Sequence, residues 1–417
     1  MPPPIRPLAP ACSFTPETVL ATLSSYSNDW RLALDFFHYV SSPPHSFPHT
    51  PKTLTLTIDI LGKHLEFPRA LSLLPPSPPL PALRSLFNRL SAARLLPDAL
   101  SLFRSSSPSP ATYHLLLDAL CEHRHVDEAQ SLALSPSPPF PADTKVHNLL
   151  LRGWLTVRSF RRVREFWLDM DRKSIPKDLH SYTIYMDALV KSNKPYKALK
   201  LHKHLTQTSS LALDVVAYNT LIQAAALAGG ADRAVRMYRE MLDSGLRPNV
   251  PTFNALIKAF CGEGRAREGY ALVDQMGKYG LEPDVITYHC FFRHSTRPQE
   301  IMRLFERMLA GGCRPRTDTY VMLMKKFGRW GFLRPVFAVW EKMGEHGVSP
   351  DAFAYNALID ALLQKGMVEM ARKYDEEMLA KGLSAKPRKE LGTKGLGDMV
   401  SMDDRNNDDD NAMCGVF

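Results

Sequence analysis

Hydrophobic residues recur at helical spacing along most of the chain, in short stretches separated by glycine and proline. In residues 250–284, a first helix is predicted by four apolar residues at i, i+3, i+4 and i+7: Phe253, Leu256, Ile257 and Phe260. Two glycines within 261–264 predict a turn, after which helical spacing resumes over 267–279. Gly280 suits a helix C-terminus, and Pro283 prevents the helix from continuing. The pattern therefore predicts a helical hairpin.

The same hairpin pattern occurs in the 35 residues immediately before, 215–249. Five markers keep their positions in the two copies: Tyr218, Asn219, Met241, Gly245 and Pro248 return as Phe253, Asn254, Met276, Gly280 and Pro283. A period of 20–50 residues is typical of solenoids, in which each hairpin buries its apolar face only by stacking on its neighbours. The sequence therefore predicts an all-α fold, an α-solenoid of stacked helix-turn-helix repeats.

Aromatic and methionine markers extend this period in both directions and predict an array over 110–386. The predicted repeats are 110–143, 144–178, 179–214, 215–249, 250–284, 285–316, 317–351 and 352–386. The repeat 285–316 is three residues short, and we expect the missing residues between its two helices. Residues 14–109 have weaker helical patterns between Pro/Ser-rich spacers and predict degenerate repeats that cap the array.

The repeat markers resemble those of the pentatricopeptide repeat family, whose units have the form YNTLI…G…A…M…G-x-x-P-D. The resemblance is strong over 110–386 and weak over 14–109. It implies a plant organellar protein of the pure-repeat class, which binds single-stranded RNA along the first helices and reads one base per repeat. In that family the base is read by position 5 and the last residue of each unit, and position 2 contacts the face of the base.

The resemblance places four base-reading pairs in consecutive repeats. They are Asn148 with Asp178 for U, Thr183 with Asp214 for G, Asn219 with Asn249 for C or U, and Asn254 with Asp284 for U. The implied RNA core is 5′-UG[C/U]U-3′. An alternative interpretation gives Asn148, Asn219, Asn254 and Asn356 a helix-capping role instead.

Further RNA contacts follow less directly from the resemblance. No base is assigned to the combinations in the flanking repeats, which are His114 with Asp143, His289 with Arg316, Val321 with Asp351, and Asn356 with Lys386. Val216 is an apolar residue at position 2, and Lys191 and Arg329 stand at position 13, where the family often has Lys.

Net charge and the two termini bear on the partner and the compartment. The formal net charge of +9 favours a polyanionic partner, and no apolar run is long enough for a transmembrane helix. Residues 1–13 contain no acidic residue and predict a targeting segment or an unstructured start. Residues 387–417 begin basic, end in an Asp-rich block and predict a disordered tail.

Candidate catalytic and metal-binding residues are scarce. The six cysteines form no C-x-x-C motif and predict no disulfide framework, and Cys121 and Cys261 are expected in the core. The pairs His202–His204 and His123–His125 lack partner ligands at metal spacing and are expected on the surface. We therefore expect no enzyme activity, no cofactor and no metal site.

The resemblance therefore implies a sequence-specific RNA-binding protein that acts on organellar transcripts in intron splicing, RNA processing, stabilisation or translation. The mitochondrion is the expected compartment, with the chloroplast as the alternative. The expected partners are single-stranded RNA and other RNA-processing factors, with no membrane and a monomeric chain. The alternative function is a protein-interaction scaffold similar to tetratricopeptide proteins, against which the recurring Asn/Thr…Asp pairs argue.

Overall fold

The computed structural model describes residues 14–208, 211–383 and 391. The predictions for residues 1–13, for Lys386 and for the tail, apart from Leu391, lie outside the described residues. The chain divides into two compact halves, Met1–Ser192 and Asn193–Phe417.

All regular structure in the described residues is helical. The N-terminal half contains α1 (Pro16–Ser25), α2 (Trp30–Ser41), α3 (Pro51–Lys63), α4 (Phe67–Ser72), α5 (Leu80–Ala92), α6 (Leu96–Ser105), α7 (Pro110–Glu122), α8 (Val126–Ala133), α9 (Thr144–Thr156), α10 (Phe160–Arg172) and α11 (Leu179–Lys191). The C-terminal half contains α12 (Pro195–Thr208), α13 (Val215–Asp243), α14 (Val250–Gly262), α15 (Ala266–Lys278), α16 (Val285–His294), α17 (Pro298–Ala310), α18 (Thr317–Arg329), α19 (Leu333–Glu345), α20 (Ala352–Gln364) and α21 (Val368–Ala380).

Within each half the helices form hairpins arranged in two layers. Each first helix packs on the next one: α3 on α5, α5 on α7 and α7 on α9 in one half, and α13 on α14 and α14 on α16 in the other. Second helices pack beside them, as α8 does against both α7 and α9. This arrangement confirms the predicted all-α fold of stacked hairpins.

Each half has its own apolar core between the two layers. The N-terminal half buries Tyr113 and Phe87 completely, and the C-terminal half buries Phe253, Tyr320 and Tyr355 completely. The last four of the recurring aromatic markers in the predicted repeats are Phe253, Tyr288, Tyr320 and Tyr355, and all are buried. The period seen in the sequence is thus the period of core residues on the first helices.

One helix, α13, contains both helices of a repeat. Its backbone leaves helical geometry at Gly229 and Gly230, where Gly230 has φ 77° and ψ −175°. This region of backbone space is almost restricted to glycine. Glu263 fixes the bend, because its Oε1 accepts a hydrogen bond from the Ala231 amide at 2.7 Å.

The short repeat 285–316 differs from the prediction. Three residues separate α16 from α17, as three separate α14 from α15, so the linker has its normal length. The deletion instead shortens the first helix, since α16 has 10 residues where α14 has 13. Lys326 supplies hydrogen bonds that the missing turn would have made: its ammonium donates to the carbonyls of Phe292 and Arg293 at 2.6 and 2.7 Å. A cation at the C-terminus of a helix is electrostatically favourable.

The weakly patterned N-terminal region is helical as well. Its helices α1–α6 form three hairpins, and the Pro/Ser spacer 75–79 joins α4 to α5. At the other end, Leu391 is only 7 % exposed and packs against the C-terminal core. The predicted disorder after residue 386 therefore does not hold at Leu391.

Candidate functional site

Asn148, at position 5 of its predicted repeat, belongs to a three-residue hydrogen-bond network. Its Nδ2 donates to the two carboxylate oxygens of Asp178 at 3.0 and 3.2 Å. Its Oδ1 accepts from the Ser181 hydroxyl at 2.6 Å. The Asn148 side chain is buried, whereas Asp178 is exposed. The structure thus brings the predicted pair Asn148 and Asp178 into contact, with Ser181 as a third member that the sequence did not indicate.

The network recurs in the C-terminal half. Asn219 Nδ2 donates to Asn249 Oδ1 at 3.1 Å, and Asn219 Oδ1 accepts from the Thr252 hydroxyl at 2.7 Å. Asn254 Nδ2 donates to Asp284 Oδ1 at 3.0 Å, and Asn254 Oδ1 accepts from Thr287 at 2.6 Å. The third member always lies three residues after the last residue of the repeat. A hydroxyl at that place was the signal in the sequence that could have revealed it.

Last residues of the repeats also cap the next first helix. Asp178 Oδ1 accepts the Ser181 amide at 2.7 Å, Asn249 Oδ1 accepts the Thr252 amide at 3.1 Å, and Asp284 Oδ1 accepts the Thr287 amide at 2.8 Å. These side chains therefore satisfy backbone donors that the first turn of a helix leaves unpaired. The capping role proposed for Asn148, Asn219, Asn254 and Asn356 is wrong, because each of them lies inside a helix. The N-termini of these helices are capped by Asp143, Asp214, Asn249 and Asp351, respectively.

Asp178 is held in its ionised form. Partial burial of the carboxyl group opposes its charge, but hydrogen bonds from the Ser181 amide, Asn148 and the Ser181 hydroxyl outweigh that effect and hold the pKa of Asp178 below its usual value. The carboxylate is therefore a hydrogen-bond acceptor at neutral pH.

Thr183 and Asp214, the pair assigned to G, lie in different halves of the chain. The Thr183 hydroxyl donates to the Leu179 carbonyl at 2.8 Å, and its side chain is buried. Asp214 is exposed and caps α13 by accepting the Ala217 amide at 2.8 Å.

Flanking pairs differ from the central ones. His114 Nε2 lies 3.8 Å from Asp143 Oδ1, and burial followed by the Lys145 charge lowers the pKa of His114, which Asp143 partly offsets. His289 instead contacts the Thr319 hydroxyl at 2.8 Å.

The remaining flanking residues have these environments. Arg316 is exposed and forms an ion pair with Asp318 at 2.9 Å. Asp351 caps α20 by accepting the Ala354 amide at 2.8 Å. Val321 and Asn356 are half-buried.

Position 2 is exposed in several repeats. Val216 is 59 % exposed, so it can meet a ligand lying over the first helices. Phe353, at the same position of the last predicted repeat, is 66 % exposed and is a flat surface for stacking. Phe353 was not among the predicted contact residues, although its position in the repeat could have identified it.

The two basic residues at position 13 are both exposed. Lys191 forms an ion pair with Asp187 at 3.0 Å, one helical turn earlier.

One histidine prediction is wrong. His202 is buried, at 6 % exposure, because it lies on the face of α12 that packs against α13. Its Nε2 lies 3.2 Å from a Glu240 carboxylate oxygen, and burial lowers the pKa of His202 while Glu240 opposes that shift. Cys121 and Cys261 are buried as predicted.

Within 14–208, 211–383 and 391, no three His, Cys, Asp or Glu side chains are grouped so that they could hold a metal ion. No helix in these ranges combines the length and apolar character needed to cross a membrane.

Known proteins resemble the chain over most of its length. Residues 213–262 and 248–297 match the PPR repeat family, and 111–132, 180–207, 318–348 and 353–383 match the PPR repeat. An Arabidopsis thaliana pentatricopeptide repeat-containing protein, named as mitochondrial, is 44 % identical over 403 residues, which are 93 % of this chain and 90 % of the relative. A second mitochondrial pentatricopeptide repeat-containing protein of Arabidopsis thaliana is 30 % identical over 381 residues, 88 % of this chain and 66 % of the relative.

A solved structure with the same kind of repeats is also similar. The pentatricopeptide repeat protein PPR10 from maize is 21 % identical, with a TM-score of 0.37, over 89 % of this chain and 60 % of that one. The identity and coverage of the first Arabidopsis relative are sufficient to assign the family. The chain belongs to the pentatricopeptide repeat family.

Proposed function

We propose that this protein binds a single-stranded segment of an organellar RNA and reads one base with each of four consecutive repeats. The observation that carries the proposal is the recurring network at Asn148–Asp178, Asn219–Asn249 and Asn254–Asp284. A helix cap alone needs only the last residue of each repeat. The buried asparagine fixes the orientation of that residue, as recognition of a planar base requires.

The chemistry of the last residue accounts for the proposed choice of pyrimidine. Uracil presents an N3–H donor on its Watson–Crick edge, whereas cytosine presents an N3 acceptor. The carboxylates of Asp178 and Asp284 can only accept, so they favour uracil. Asn249 has both an acceptor and an NH₂ donor, so it admits cytosine as well as uracil.

The second base is proposed to be guanine, read by Thr183 and Asp214. Guanine presents two N–H donors on its Watson–Crick edge, and the exposed carboxylate of Asp214 is an acceptor for them. The complete proposed core is 5′-UG[C/U]U-3′, with Val216 and Phe353 contacting base faces in their own repeats. Apolar and aromatic contacts of this kind stabilise single-stranded RNA independently of its sequence.

The compartment is proposed from the relatives, two of which are named as mitochondrial proteins. The protein would act there as a pure-repeat binding protein in intron splicing or transcript stabilisation, by holding one segment single-stranded, and other RNA-processing factors would supply any catalysis. A fusion of the full chain to a fluorescent protein in plant cells should therefore mark mitochondria. Fluorescence confined to chloroplasts would assign the alternative compartment.

A binding titration tests the RNA proposal. The full chain is titrated at fixed salt against a single-stranded RNA carrying UGCU and against one in which the G and its neighbouring U are exchanged. We expect at least tenfold weaker binding of the second RNA, about 1.4 kcal/mol, because two bases no longer match their pairs. Equal binding of both would refute base reading, and no binding of either would favour a protein-interaction scaffold.

A further inference from the structure

A cationic surface lies on the second helices, away from the base-reading pairs. Helix α12 carries Lys197, Lys200 and Lys203, and the latter part of α13 carries Arg233, Arg236 and Arg239. We call these six residues the outer ladder. The members of each set are three residues apart, and the two sets are 36 residues apart, so they occupy the same positions of consecutive repeats.

The two helices run side by side in the same direction. Near their starts, the Arg233 guanidinium lies 5.7 Å from the Tyr196 ring centroid. Further along, His202 lies 3.2 Å from Glu240. Three residues of helix rise about 4.5 Å, and packed helices lie about 8–10 Å apart. The outer ladder is therefore two cationic rows, each about 9 Å long.

The charges of the outer ladder are not neutralised within the described residues. None of its six side chains lies within ion-pairing distance of a described carboxylate, and all except half-buried Arg233 are exposed. The following repeat has Glu268, Ala271 and Asp274 at the same three positions. The acidic residues beside the ladder on α13, Asp232 and Glu240, contact Arg265 and His202 instead of the ladder.

The apolar face of each helix that carries the ladder packs into the core. On α12, Ala198 and Leu205 are buried, and on the latter part of α13, Ala234 and Met241 are buried. Helices that lie on membranes insert an apolar face, which these two have already committed to the core. Tyr196, at 63 % exposure, lies beside the ladder, but the surface mainly offers cations for phosphates and little for stacked bases.

We propose that the outer ladder binds the phosphate backbones of double-stranded RNA, such as a stem next to the single-stranded target. Two cationic rows can contact both strands of an A-form helix, which proteins recognise mainly through shape and phosphates. This site rests on the proposed RNA ligand but not on base reading. Six phosphate contacts would make binding depend steeply on salt, with log K falling by about 5 for each unit of log salt concentration.

The test measures binding of the full chain to an RNA duplex of about 16 base pairs and arbitrary sequence, between 50 and 200 mM salt. The variant Lys197→Gln/Lys200→Gln/Lys203→Gln should bind the duplex at least tenfold more weakly. Its salt slope should fall to about −2 to −3, because each lost phosphate contact removes about one unit. Binding of single-stranded UGCU RNA should change by less than threefold.

A matched control removes the same charge elsewhere on the second helices: Arg303→Gln/Arg334→Gln/Lys373→Gln, all three exposed. We expect the control to keep wild-type duplex binding. If both variants lose the same duplex affinity, binding depends only on net charge, and the proposal is overturned. Displacement of the duplex by single-stranded UGCU RNA would also overturn it, by placing both ligands on one surface.

Two further arms separate this proposal from its alternatives. Vesicles of phosphatidylcholine and phosphatidylserine should not compete with the duplex, and effective competition would assign the ladder to membranes instead. If the protein binds UGCU RNA and the exchanged RNA equally, but still binds the duplex through the ladder, base reading is refuted and the outer site is supported. The reverse result would refute the outer site alone.

Discussion

Exchange of Asn249 for aspartate is the most selective perturbation of the proposed base reading. Asn249 Oδ1 accepts hydrogen bonds from the Thr252 amide and from Asn219 Nδ2, both at 3.1 Å. Aspartate has the same shape and keeps an oxygen acceptor for both donors. The substitution Asn249→Asp therefore replaces the NH₂ donor that would contact the N3 atom of cytosine with an anionic oxygen acceptor.

The expected effect is large on base preference and small on stability. Asparagine and aspartate are about equally good at the N-cap, so the free energy of unfolding should change by less than about 0.5 kcal/mol. A base contact of this kind discriminates by about 1–3 kcal/mol, which corresponds to about 5–150-fold in affinity. Binding of UGCU RNA should fall by that factor, whereas UGUU RNA should bind as well as before or better.

Fluorescence anisotropy titrations of both RNAs at one salt concentration measure the change. The matched control is the reverse exchange, Asp284→Asn, which should admit cytosine at the fourth base and leave the third unchanged. If Asn249→Asp binds both RNAs with wild-type affinities while its thermal unfolding is normal, Asn249 caps a helix but reads no base. That result would refute the assignment of the last residue of each repeat.

Three other substitutions test separate parts of the structure. Thr183→Asn should shift the preference at the second base from G toward U by about 1–3 kcal/mol in competitive titrations, and an unchanged preference would remove Thr183 from base reading. Gly230→Ala should lower the free energy of unfolding by about 1–3 kcal/mol in urea titrations, because its φ is 77° and a Cβ would collide with Glu263 Oε1. Gly264→Ala, at φ 75° with open space around it, should cost less, and an equal loss would show that the collision is unimportant. Burial lowers the pKa of His289 in the folded protein below its value in the unfolded chain. Below about pH 6.5 the unfolded chain therefore binds more protons, and the free energy of unfolding decreases as the pH is lowered. His289→Gln should reduce the loss of stability between pH 7.5 and 5.5, and an identical loss would contradict this origin.

Repeat periodicity made the helices predictable, because the same markers serve both the core and the helix ends. Phe253 and Tyr320 recur at one repeat position and are completely buried in the structure. Asp178 and Asp284 come last in their repeats and cap the helices that follow. The spacing therefore predicts where the first helices start. These starts place each asparagine at position 5 beside the last residue of its repeat.

Other features depended on contacts between repeats that spacing does not encode. The side chain of Ser181 completes a network 33 residues from Asn148, and only its hydroxyl hinted at that role. His202 is buried because α12 packs against α13, whereas its neighbours in sequence suggested a surface position. The shortening of α16 was not predictable, because the spacing does not show which part of the repeat lost three residues. Lys326 of the next repeat donates to the carbonyls at the end of the shortened helix.

Selection from a pool of RNAs with random sequence tests the central claim most directly. The full chain is incubated with the pool at a fixed salt concentration, and the bound RNAs are sequenced. We predict enrichment of UG[C/U]U in single-stranded context, and of UGUU alone with Asn249→Asp. Enrichment of no common sequence, or of the same sequence for both proteins, would contradict base reading by these repeats.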